Sequence, residues 1–154
     1  MTTWRALLLA AAGSLVASPP ADASLTRAET SLLRAINSVR AANHVHRLRI
    51  GVRLQRAARA HSFDMLRNGY FDHGAFAARM AQFGVEGPFT GENLAWATGQ
   101  YRTPSAIVRL WLASPEHRAN LLRPGFRRVG VATPTGPFGG YPRAAVVTAD
   151  FAGY

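Results

Sequence analysis

Apolar residues recur at three- and four-residue spacing through most of the chain and at two-residue spacing towards its end, so helices come first and strands late. Leu32, Leu33, Ile36 and Val39 share one face and predict a helix from about Arg27 to Asn43, with Thr26 and Glu29 as a capping box. A second helix is predicted from about Val52 to Asn68. It turns Leu54, Ala57, Ala58, His61 and Met65 inward and stops at Asn68-Gly69. Phe76, Met80 and Phe83 give a short third helix ended by Gly84. Thr103-Pro104 opens a fourth, with Ile107, Leu110, Trp111 and Ser114 on one side, and Ser114-Pro115 opens a short fifth. Leu48 to Ile50 reads as a short extended piece, and Leu94 with Trp96 as part of a half-buried strand. Phe126 to Thr133 and Arg143 to Phe151 are predicted to pair as a hairpin, with a turn region at Gly136 to Pro142 between them. The order of elements supports an α+β class.

The first 23 residues carry a different pattern. Arg5 precedes a twelve-residue apolar run, Ala6 to Ala17, and Ala21-Asp22-Ala23 supplies a small-x-small cleavage pattern, so this segment reads as an export signal. The run is too short for a bilayer core, which needs about 20 residues, and no later segment is long and apolar enough to span one. A single mature domain over 24–154 is expected, monomeric and either secreted or periplasmic. With no cysteine in the chain, its core must hold without disulfides.

Charge changes the picture less than its size suggests. The formal net charge is +10, and every Lys or Arg position holds arginine. Losing Arg5 and Asp22 with the signal leaves that balance unchanged. Such a chain favours encounter with anionic partners. Arg47, Arg49, Arg53, Arg56 and Arg59 cluster, but they read most simply as the solvated face of a helix. No aromatic residues interleave with them to stack bases, so nucleic acid is not the expected partner.

Three stretches carry candidate chemistry. His117 falls, with Glu116, in the first turn of the fifth helix, where the helix dipole disfavours imidazolium and leaves a neutral ring able to act as ligand or acceptor. Glu92 shares an inward strand face with Leu94, and a carboxylate there must be paired, hydrogen-bonded or metal-bound. His73 ends a turn anchored by Tyr70 and Phe71. Two of them have a plain structural alternative: His117 as a cap that packs, Glu92 as an acceptor of backbone N–H groups. His61 reads as core packing, and the His44-x-His46 pair as solvated loop.

The residues Asn37-x-x-Arg40, Leu54-x-x-x-Ala58-x-x-His61-Ser62-x-x-Met65, Phe71-x-His73, Gly91-Glu92-Asn93-Leu94-Ala95, Trp111-x-x-Ser114-Pro115-Glu116-His117-Arg118-x-Asn120-Leu121-Leu122 and Phe126-x-x-x-Gly130-Val131 occur in this order. Together they resemble the CAP superfamily, the cysteine-rich secretory, antigen 5 and pathogenesis-related 1 proteins, in its short cysteine-free bacterial form. The resemblance implies a three-layer α-β-α sandwich around a small antiparallel sheet. It also implies a cleft with two histidines, His73 and His117, and a glutamate, Glu92, which in several members holds a divalent metal, often zinc. The family's second glutamate falls at Ser114 here, and Glu116 stands beside His117 instead. Two imidazoles, one carboxylate and a water suffice for zinc. The leading expectation is an exported binding or interaction protein with a ligand in the cell envelope or on an extracellular partner. The alternative is a metal-assisted hydrolase of an envelope polymer or peptide, in which a metal-bound water is the nucleophile. A third reading makes the cleft residues a purely structural hydrogen-bonded cluster.

Overall fold

The computed structural model describes residues 24–153, so the predicted export signal lies outside the described residues. The first helix, α1 (Arg27–Ala42), starts as the sequence predicts. Thr26 N donates to the Glu29 carboxylate at 2.8 Å and Glu29 N donates to Thr26 Oγ1 at 3.1 Å, so two otherwise unpaired donors are satisfied at once. After β1 (Arg49–Ile50), α2 (Val52–Asn68) ends on Gly69, whose φ of 70° is a left-handed conformation that glycine adopts without a Cβ clash. Then come α3 (Phe76–Gln82), β2 (Thr90–Thr98), a single 3-10 turn, α4 (Pro104–Ala113), α5 (Pro115–Leu122), β3 (Phe126–Ala132), β4 (Thr135–Phe138) and β5 (Tyr141–Gly153).

The strands form one sheet in the order β1-β3-β5-β2, antiparallel except for the short β1–β3 pair. The expected hairpin is present, and it is longer than the hydrophobic pattern indicates. What reads as a turn region contains β4, which continues the line of β3 along β5 and turns back through Gly139-Gly140. Alternation along β5 assigns the two faces. Ala145, Val147, Ala149 and Phe151 meet Leu32 and Ile36 of α1, Ile107 and Trp111 of α4 and Leu121 of α5. Ala144, Val146 and Ala152 face Leu54, Ala57 and Met65 of α2 and Met80 of α3. The chain is thus an α-β-α sandwich. Within α4, Leu110 departs from the expected inward stripe: it is exposed, and Ala106 and Val108 are buried instead.

The α2 backbone lies directly on β3. A Cβ at Gly130 would come within 2.1 Å of the Leu54 carbonyl group, so this contact admits no side chain. Next to it, the Gln55 amide donates to Val131 O at 2.6 Å and accepts from Val131 N at 2.8 Å, in the manner of a neighbouring peptide unit. Buried Ser62 donates to Thr148 Oγ1 at 2.7 Å and fixes the other end of the helix to β5.

Candidate functional site

Strand alternation turns Glu92 towards α2 and α3, while Asn93 points to the α5 side. The strand carrying Glu92 is held by α5: Asn120 Nδ2 donates to Glu92 O at 3.1 Å and to Asn93 Oδ1 at 3.0 Å, and Asn93 Nδ2 donates to His117 O at 2.9 Å. This explains the glycine before Glu92. A Cβ at Gly91 would stand 2.9 Å from Phe126 Cζ and 3.0 Å from Asn120 Oδ1, closer than side chains tolerate. The GENLA and SPEHRANLL stretches are therefore two halves of one docking contact, which places the first turn of α5 beside β2.

The Glu92 carboxylate is buried and fully engaged. Its Oε1 lies 2.7 Å from His73 Nδ1, and its Oε2 forms an ion pair with Arg79 Nη2 from α3. Arg79 Nη1 also donates to His73 O at 3.2 Å, so one guanidinium fixes both the carboxylate and the backbone of the histidine it orients. The His73 ring itself is exposed. His61 stands behind this pair, as the inward position in α2 predicts. Its Nε2 is 3.0 Å from Asp72 O and 3.8 Å from Glu92 Oε2, and burial, followed by the Arg79 charge, pushes its pKa down.

His117 is half-buried, and its pKa is lowered first by burial and then by the His73 imidazole, while Glu116 acts in the opposite sense. Glu116 is exposed, and Ser114 sits at the N-cap position of α5 without a side-chain capping bond. Among the described residues, no hydrogen bond or ion pair joins either side chain to His73, Glu92 or His117.

Two members of this cluster escape the sequence reading. Arg79 lies on the same face of α3 as Phe76, Met80 and Phe83, and an arginine on an apolar stripe is a readable sign of a buried partner. Asp150 stands opposite Glu92 in the β2–β5 register, in the middle of an apolar strand, and is wholly buried. Neither of its oxygens has a geometrically sound hydrogen-bond partner among the described residues. Burial first, and then the Glu92 carboxylate, pushes its pKa well above the ordinary value. Both effects bias Asp150 towards its protonated form, and Glu92 is the member of the pair that meets Arg79.

This arrangement has a pH signature. Because folding raises the Asp150 pKa, the stability it contributes is complete below the unfolded value of 3.8 and is lost as pH rises through the folded value. Asp150→Asn cannot ionise. Urea titrations across a pH series should show the variant gaining on wild type as pH increases; identical pH slopes would contradict a neutral Asp150.

The cluster fits a divalent metal only through its imidazoles. Among the described residues, no three His, Asp or Glu side chains gather as a metal would require. Both Glu92 oxygens are spent, one on a cation, so Glu92 fits as the acceptor that orients His73 and not as a direct ligand. The rings of His73 and His117 fit as donors.

The fold and this site define an α-β-α sandwich in which an exposed imidazole, His73, meets a buried carboxylate, Glu92, on an edge strand of the sheet. The sequence model described as "CAP: Cysteine-rich secretory protein family" matches residues 33–151, and the chain belongs to this family. It is 35% identical over 116 residues to the uncharacterized protein YkwD of Bacillus subtilis, covering 72% of this chain and 44% of that protein. It is 31% identical over 111 residues to the uncharacterized membrane protein YlbC of the same organism, covering 69% and 31%. The chain thus spans less than half the length of these curated relatives. Among solved structures, an extracellular protein containing a SCP domain from Bacillus anthracis superposes with a TM-score of 0.67 at 26% identity, covering 86% of this chain and 45% of that one. An outer surface protein from Borrelia burgdorferi shares the fold, with a TM-score of 0.63 at 20% identity, covering 80% and 90%. No helix among the described residues is long and apolar enough to cross a membrane.

Proposed function

We propose that this chain is an exported CAP-domain binding module that presents His73 and His117 to a ligand of the cell envelope or of an extracellular partner. The observation that carries this reading is the Arg79–Glu92–His73 arrangement. A buried carboxylate is locked by a guanidinium on one oxygen and orients an exposed imidazole with the other. Such a group positions a donor, since both carboxylate oxygens are already engaged, one by His73 and one by Arg79. The similarity to an extracellular SCP-domain protein supports placement outside the cytoplasm. Incubation with envelope polymers and peptides should give saturable binding without release of products, and sustained turnover would overturn this reading in favour of the hydrolase.

A divalent metal such as zinc would be held by the imidazoles of His73 and His117, with Glu92 behind His73, and would add a Lewis-acidic anchor for an anionic or carbonyl group of the ligand. Calorimetric zinc titrations test this directly. Glu92→Gln should weaken binding about 10- to 100-fold, as loss of an orienting partner does, and His73→Ala or His117→Ala at least as much. Ser114→Ala should leave affinity unchanged. Affinity should fall as pH drops below the ordinary imidazole value of about 6.5, because burial holds the His117 pKa beneath it. Equal zinc affinity in wild type and in the His73/His117 double variant would sink the metal.

A further inference from the structure

The arginines that cluster in the sequence do not share one face. Arg59 pairs with Glu29, and Arg53 donates to Gly84 O. Arg47 and Arg49 instead precede α2, and β1 carries them to the sheet edge farthest from β2. There, with His46 from the preceding loop and Arg127 and Arg128 from β3, they line a depression of about 350 Å³. Arg49 stands in register with Arg128 across the parallel pair, and like charges on adjacent strands repel. Among the described residues, the ion pairs engage Arg59, Arg79, His61 and His73, so no carboxylate neutralises the four arginines of this depression.

The depression is also rigidly built. Buried Arg40 lies beneath it, donating from Nε to His46 O at 2.7 Å, from Nη1 to Leu121 O at 2.6 Å and Arg123 O at 3.2 Å, and from Nη2 to Phe126 O at 3.1 Å. It ties the loop that precedes one wall to the segment that leads into the other. Burial, and then the Arg127 charge, bring its pKa down to about 10.

We infer that the groove formed by His46, Arg47, Arg49, Arg127 and Arg128 is a binding site for the phosphate groups of a multiply phosphorylated anion. Guanidinium forks match phosphate oxygens two at a time, and four of them around one depression suit more than a single phosphate. No aromatic side chain lines the groove, so nucleobases have nothing to stack on, and no apolar wall is present for an acyl chain. The phosphates can belong to a soluble polyanion or to neighbouring lipid headgroups on an anionic surface.

Calorimetry with tripolyphosphate, and co-sedimentation with phosphatidylglycerol vesicles against phosphatidylcholine vesicles, test the site on the intact protein. Wild type should bind at least one phosphate probe, and Arg49→Gln/Arg128→Gln should weaken that binding by about tenfold or more. The same variant should melt at the wild-type temperature or above it, because a repulsive pair has been removed, which separates a binding role from a structural one. Arg34→Gln/Arg67→Gln makes the same change of net charge at exposed positions outside the groove and should bind nearly as wild type. Preference for tripolyphosphate assigns a soluble polyanion as the source, and preference for phosphatidylglycerol assigns the headgroup. The site is overturned by equal losses in the two double variants, by no binding to either phosphate probe, or by tighter binding of a thymidine oligonucleotide than of both.

Discussion

Trp111→Ala is expected to lower the free energy of unfolding by about 3 to 5 kcal/mol, the usual range for truncating a fully buried aromatic. Trp111 is wholly buried on the α4 side of the sheet, in the same core as Ile107, Val129 and Phe151. The loss has two sources. The cavity forfeits the contacts of the ring, and the Leu94 carbonyl loses the indole N–H that now reaches it at 2.8 Å. Trp111→Phe helps to separate the two, since it keeps much of the ring volume while removing the donor, and it should cost about 1 to 3 kcal/mol. Urea denaturation of both variants measures the difference, and equal losses would place the whole effect on the hydrogen bond.

Arg40→Ala is expected to be comparably severe, although it removes a charge from the interior. Burying an arginine without a carboxylate is costly, and the lowered pKa of the guanidinium reflects that cost. The compensation is four carbonyl acceptors, and the bonds to Leu121 O and Phe126 O are themselves buried. Each buried acceptor left without a donor costs about 1 to 3 kcal/mol, so the variant should lose about 2 to 6 kcal/mol in all. Arg40→Met retains much of the apolar stem and eliminates the charge. If relief of the buried charge dominated, the methionine variant would match or exceed wild type in thermal melting; because the carbonyls dominate, it should fall well below.

Much of this fold is legible in the sequence because its signals are local. The capping box at Thr26, the stop at Gly69 and the proline starts of α4 and α5 each act within one helical turn. β4 is not legible, because Gly136 and Pro137 read as turn residues and only pairing with β5 makes them a strand. The same division holds at the site. His73, Glu92 and His117 lie at the ends or beginnings of elements, and each is chemically conspicuous. Bringing His73 against Glu92 depends on Arg79, one arginine among many, in a short helix, and on a β5 register that sets Asp150 opposite Glu92. Register and helix docking are long-range properties, so no window of sequence contains them.

The bonds between Gln55 and Val131 have a bearing on how this domain meets other proteins. At Val131, β3 turns its free N–H and C=O away from β5, and the side-chain amide of Gln55 occupies both. On the opposite margin, the outward carbonyls of Glu92 and Leu94 are taken by Asn120 and Trp111. An unpaired strand margin is a template on which a foreign chain can extend the sheet. Here those positions are already closed by side chains, so a visiting extended peptide finds no ladder to join at them. At these positions recognition must pass through side chains, and sheet-to-sheet pairing has no open backbone groups to start from.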